Sequence, residues 1–99
     1  MAEVRTRGQN TETLEQAFGQ TVLAWRKKRG LSQMDLSVAS GYSLRYIGDI
    51  ERGAKSATIR TMHDLATLLD VKLGALVVEA ENLLDLDSKA RKHSPKAKS

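Results

Sequence analysis

Residues 30–53, GLSQMDLSVASGYSLRYIGDIERG, are punctuated by Gly30, Gly41 and Gly53 at intervals too short for any long helix. Glycine adopts a left-handed backbone at little cost and therefore ends helices. Ser32 with Asp35 forms a capping box that starts a helix at about Gln33, and Gly41 breaks it after Ser40. Ser43 caps a further helix that turns Ile47 and Ile50 inward and stops at Gly53. Two short helices joined by Gly41-Tyr42-Ser43 point to a compact orthogonal arrangement rather than an up-and-down bundle.

The flanking sequence repeats the helical pattern. Thr13-Leu14-Glu15-Gln16 is a capping box, and Leu14, Phe18, Val22 and Trp25 then form an apolar stripe that Gly30 closes. Thr58 opens a fourth helix with Ile59, Met62, Leu65, Ala66 and Leu69 at helical spacing as far as Asp70, and a fifth runs from about Leu73 to Leu86. The expected fold is all-α, a compact bundle of five short helices within residues 13–87. Residues 1–12 are polar and patternless and residues 88–99 are rich in Lys, Ser and Ala, so both ends are expected to be disordered.

Composition narrows the function classes. Ninety-nine residues fit one domain with a modest core. The chain has no cysteine, hence no disulfide, thiolate metal site or thiol nucleophile. No phosphate-cradling loop, nucleophile elbow or HExxH motif is present, and His63 and His93 lie too far apart to suggest a ligand pair. The expectation is a non-enzyme with no catalytic residues, no metal and no cofactor. No apolar run is long enough to span a bilayer, and MAEVRTRGQN lacks the apolar stretch of a signal peptide, so a cytoplasmic protein without a membrane partner is expected. The formal net charge is +4, but nine basic and nine acidic side chains balance between Leu14 and Asp85. The excess sits in Lys89, Arg91, Lys92, Lys96 and Lys98, so overall basicity says little about the domain's surface.

The third helix carries the informative surface. With Ile47 and Ile50 inward and Tyr46 and Glu51 beside them, the opposite side presents Leu44, Arg45, Gly48, Asp49 and Arg52. Such a face is either merely solvated or a docking surface for an anion.

Residues Val22 to Leu76, with Arg26, Ser32-Gln33, Leu36, Gly41, the run Ile47 to Gly53, and Ala66 in register, resemble the helix-turn-helix domain of the Xre and Cro/C1-like repressor family. The segment YIGDIERG looks particularly like controller proteins of restriction-modification systems. The resemblance implies a lambda-repressor-like fold and a transcriptional regulator binding double-stranded DNA, with the third helix in the major groove. Gln33 would then hold a phosphate at the start of the second helix, unless it is a plain polar first-turn residue. Arg45 is the candidate for reading a guanine, with a phosphate contact as the alternative. Ser43 and Leu44 open the helix where family members contact bases; Leu44 either meets a thymine methyl or completes the Ile47 stripe. Tyr46 belongs to the same candidate surface. Asp49 either orients Arg45 or Arg52 or accepts from a cytosine. Gly48 either permits close approach to the DNA backbone or has no role. Arg52, Lys55 and Arg60 are placed near phosphates. Arg26 and Glu51 match the family's structural ion pair. Ser37 and Ser40 stand where small alanines are usual, and Tyr42 where an aliphatic residue is common, changes expected to loosen helix packing.

The fifth helix is more apolar than a monomer needs, which suggests a homodimer interface at Leu76, Val77, Ala80, Leu83 and Leu84, reading a near-palindromic operator. The same fold also serves antitoxins, so a toxin is the alternative protein partner. The lysine-rich tail would be a toxin-binding segment or a DNA-binding arm, and its charge favours the arm.

Overall fold

The computed structural model describes residues 12–92. Among these residues five helices form and no strand does: α1 Leu14–Lys28, α2 Gln33–Ser40, α3 Leu44–Arg52, α4 Ile59–Leu68 and α5 Leu73–Lys92. Their starts follow the local chemistry closely. The Thr13–Gln16 and Ser32–Asp35 capping boxes both form, and Ser43 and Thr58 accept from the backbone N–H groups of Tyr46 and Thr61.

Helix ends are just as explicit. Beyond α1, the N–H of Gly30 donates to Lys27 and that of Leu31 to Arg26, and the same paired bonds link Gly53 to Ile50 and Ala54 to Asp49 beyond α3. After α4 the left-handed position is taken by Asp70, at φ 59. Asp tolerates that backbone better than most side chains, and Arg29, just beyond α1, covers this end, donating through Nε to the Leu69 carbonyl at 2.8 Å and through Nη2 to that of Asp70 at 3.1 Å. At α5 the expectation falls short, since the helix continues to Lys92 rather than stopping near Leu86. No glycine or proline interrupts residues 87–92, whose Ala, Lys and Arg are good helix formers. His93 and the rest of the expected basic tail, like residues 1–11, lie outside the described residues.

The core collects Ala17, Phe18 and Val22 of α1, Leu36 of α2, Ile47 and Ile50 of α3, Leu65 and Ala66 of α4 with Leu69 just beyond it, and Leu76 and Ala80 of α5. Leu14 and Ile59, expected in apolar stripes, are instead exposed. Each is the first residue of its helix. Trp25 is half-buried against the core, with Lys28 and Arg29 over its ring. Its Nε1 donates to Glu79 at 2.9 Å, fastening α5 to α1. Leu76 and Ala80, expected to meet a second subunit, are buried inside this one and offer it no surface. Val77, Leu83 and Leu84 are half-buried, whereas Val78 and Leu86 are the large apolar side chains of α5 left exposed.

Candidate nucleic-acid interface

The surface is built on α3, whose position is fixed from below by close approach. A Cβ at Gly19 would fall 2.5 Å from the Glu51 carbonyl oxygen and nearer still to that of Ile50, so α1 and α3 touch backbone to backbone there. Nothing in the sequence pattern marked Gly19 except its place in a helix interior, where glycine costs about 1 kcal/mol relative to alanine and invites a packing reason. At the end of α3, a Cβ on Gly53 would strike the backbone of Gln16, a second contact that only glycine permits.

The inner flank is a charged joint. Arg26 donates through Nε to Glu51 Oε2 at 2.6 Å and through Nη2 to Oε1 at 3.0 Å, and its Nη1 reaches the Leu31 carbonyl at 2.9 Å. The Glu51 side chain is only 4% exposed. Gln33 donates its amide to the same Oε1 at 2.8 Å. The Arg26–Glu51 pair expected from the sequence is therefore a three-helix junction, and one amide N–H of Gln33 is committed to it rather than free for a phosphate. The capping box engages the backbone N–H groups of Ser32 and Asp35, which leaves those of Gln33 and Met34 for that purpose.

The outer flank carries the cations. Ser43, Leu44, Arg45, Arg52, Lys55 and Arg60 are all exposed, and the Arg45 side chain is 89% exposed. The exposure of Leu44 removes it from the buried stripe that Ile47 and Ile50 form. Two positions expected on the open face are covered instead. Gly48 is buried beneath side chains that cross it, since a Cβ there would lie 3.0 Å from Arg52 Nη1 and 3.9 Å from Gln33 Nε2. Asp49 has a side chain only 10% exposed. Arg52 donates to its Oδ1, while Lys55 Nζ and Arg45 Nε stand 3.9 Å and 4.0 Å from its Oδ2. The pairing of Asp49 with Arg45 and Arg52 was expected, but its burial was not.

Tyr46 departs from the expected surface as well. It is half-buried, its hydroxyl donates to Thr61 Oγ1 at 3.4 Å, and its ring meets Tyr42 edge to face at 5.5 Å between centroids. Tyr42 in turn donates to Asp64 Oδ2 at 2.6 Å and accepts from Thr61 at 3.3 Å. That bond to Asp64 favours the protonated phenol and raises the Tyr42 pKa above its ordinary value. Ser37 and Ser40, expected to loosen α2, fasten the turn: Ser37 Oγ donates to the Tyr42 carbonyl at 2.6 Å, and Ser40 Oγ accepts the Tyr42 N–H at 3.0 Å. Hydroxyls replace apolar packing here because a three-residue turn leaves backbone groups needing partners.

His63 is exposed on α4, and no cluster of metal-ligating side chains occurs among the described residues. No helix among them is long and apolar enough to cross a membrane. Arg45, Arg52 and Lys55, gathered around Asp49, offer positive charge and hydrogen-bond donors, the chemistry that engages phosphates and the electronegative edges of bases.

Residues 22–76 match the model of the family described as Helix-turn-helix. An uncharacterized HTH-type transcriptional regulator, y4dJ, of Sinorhizobium fredii is 29% identical over 68 residues, covering 69% of this chain and 88% of that protein. The immunity repressor protein of Bacillus phage phi105 is 34% identical over 61 residues, which is 62% of this chain and 42% of the repressor. Among solved structures, the restriction-modification controller protein C.AhdI from Aeromonas hydrophila superposes with a TM-score of 0.60 at 36% identity, over 62% of this chain and 92% of that one.

Proposed function

The chain belongs to the Xre, or Cro/C1-type, helix-turn-helix family of transcriptional regulators, and from that premise we propose that it binds a near-palindromic operator as a homodimer, with α3 of each subunit in the major groove. The observation that carries this reading is the division of α3 into two flanks. Ile47 and Ile50 are each 1% exposed and anchor the helix, while Arg45 projects into solvent on the opposite side. A helix held so firmly presents its polar side without itself deforming, as direct reading of base edges requires.

In this reading Arg45 hydrogen-bonds a guanine, and Ser43 and Leu44 touch neighbouring bases. Arg52, Lys55 and Arg60, with the backbone at Gln33, engage phosphates that set the register. Dimerisation uses the outer side of α5, supported by exposed Val78 and Leu86 beside half-buried Val77, Leu83 and Leu84. Because Val78 and Leu86 are 53% and 65% exposed, their replacement by glutamate disturbs association more than folding. A chain with both changes is expected to sediment as a monomer; an unchanged sedimentation coefficient removes that interface.

The deciding experiment selects bound duplexes from a random-sequence pool. The expected product is a symmetric pair of half-sites about one helical turn, roughly 34 Å, apart. Affinity should fall with salt at a log-log slope near −0.9 per phosphate neutralised. Failure of the full chain to enrich any sequence would overturn the reading.

A further inference from the structure

A carboxylate on a surface offered to a polyanion repels its partner, so Asp49 on α3 calls for a compensating role. Its side chain is almost enclosed, and the groups enclosing it are cations: Arg45 one turn before it, Arg52 one turn after it, and Lys55 beyond the end of the helix. The three come from both sides of Gly53, so a single carboxylate gathers charges from the helix and from the loop after it.

Gly48 lies directly beneath one of these cations. Arg52 Nη1 lies 3.0 Å from where a Cβ on residue 48 would stand, tighter than most Cβ contacts, so a side chain there shifts the guanidinium by a few tenths of an ångström. The missing side chain leaves a lane through which the guanidinium folds back along α3 to Asp49. This also explains a glycine placed in the middle of a helix, where it weakens the helix itself.

We propose that Asp49, with Gly48 beside it, is the specificity-determining positioning element of this surface, holding Arg45 and Arg52 in set orientations before DNA arrives. The inference rests on the DNA-binding reading of α3 given above. Arg45 approaches Asp49 through Nε, which leaves its forked terminal nitrogens for the two acceptors of a guanine edge. Arg52 is hydrogen-bonded to Asp49 and Arg45 is drawn towards it by charge at 4.0 Å, so both lose less rotational freedom on docking to the right sequence. The negative charge at their centre also weakens their hold on phosphates in general, so random DNA is disfavoured.

The test compares the full chain with Asp49→Asn, which keeps shape and removes charge, on the selected operator duplex and on a random-sequence duplex of equal length across a salt series. The variant should bind the random duplex more tightly, with a salt slope steeper by about 0.9. Its operator-to-random affinity ratio should fall about tenfold, within the range one well-placed base contact supplies. Gly48→Ala supplies the second arm, because it leaves net charge unchanged and favours the helix, and it should also lower the ratio. In the double variant Gly48→Ala should add little to Asp49→Asn.

If Asp49→Asn changes both affinities by the same factor, Asp49 contributes only net charge or only folding, and the proposal is overturned. A Gly48→Ala ratio equal to the parent's, or full additivity in the double variant, also overturns it. Failure of the parent chain to distinguish any duplex is a different result, which overturns the DNA-binding reading itself.

Discussion

Asp49 and Glu51 stand two residues apart on α3, both nearly enclosed and both bound to arginine, yet they do different work. The partner of Glu51 is Arg26, itself only 10% exposed and held by two hydrogen bonds. The partners of Asp49 are Arg45, Arg52 and Lys55, whose charged ends reach solvent. Removing one member of an enclosed pair leaves a charge that water cannot reach. Loss of a rim pair is largely made good by solvent. Identical chemistry on one helix therefore joins the fold on the inner side and tunes a surface on the outer side.

The largest effect follows from the inner side. Glu51→Ala, which strands Arg26 and also releases Gln33, is expected to lower stability by about 3–5 kcal/mol in urea denaturation. Asp49→Ala should stay within about 1 kcal/mol of the parent. Equal losses for the two would erase the distinction drawn between them.

Next come the cations of the outer flank, where folding should be untouched and binding should split by residue. Arg45→Ala is expected to relax preference at one base pair per half-site by about 1–3 kcal/mol. Arg52→Ala should weaken the random duplex as well as every operator variant, without shifting preference at any one base pair, and reduce the salt slope by about 0.9. Quantitative binding with single-base operator variants separates the two. Equal losses on every sequence for Arg45→Ala would assign it to the phosphates.

How far these flanks could be read from the amino-acid order depends on what each signal measures. Helix starts at Leu14, Gln33, Leu44 and Ile59, and stops near Gly30, Gly41 and Gly53, were legible because caps and left-handed glycines act within a few residues. The pairing of Arg26 with Glu51 came through resemblance, and the link to Gln33 did not, because it depends on where α2 crosses α3. Burial of Gly48 and Asp49 escaped a helical wheel, which treats a helix as a smooth rod and ignores long side chains folded back over it. Leu76 and Ala80 show a related limit: periodicity tells which residues share a face, but not whether that face meets its own subunit or another. Residues 88–92 read as tail by composition, although Ala, Lys and Arg continue a helix readily when nothing stops it.

A smaller effect should appear at the other end of α3, where hydroxyls rather than ions hold the helix. Tyr42→Phe keeps the edge-to-face contact with Tyr46 and removes both the bond to Asp64 and the one accepted from Thr61. The variant should melt below the parent but well above Glu51→Ala, because the lost group lies near solvent. The raised phenol pKa adds a test of sign: the neutral phenol favours the folded state, so its contribution is complete below about pH 10 and is lost as pH rises through the folded value. A parent chain whose alkaline melting profile matches that of Tyr42→Phe would show that the Asp64 bond does not contribute.

The smallest expected effect concerns Asp35, a carboxylate with neither the enclosure of Glu51 nor the cations of Asp49. It accepts the Ser32 backbone N–H at 2.8 Å, and this bond, followed by the one to the Ser32 side chain, holds its pKa below the usual carboxylate value. A depressed folded pKa means that the ionised form favours the folded state. Its contribution is complete above about pH 4 and disappears as pH falls through the folded value. Asp35→Asn should therefore lower the melting temperature slightly at neutral pH and lose less than the parent on acidification, so that the two curves converge. Parallel acid profiles would mean that backbone donors at the start of α2 do not discriminate between the charged and neutral forms. The contrast among carboxylates would then reduce to whether each one faces an arginine.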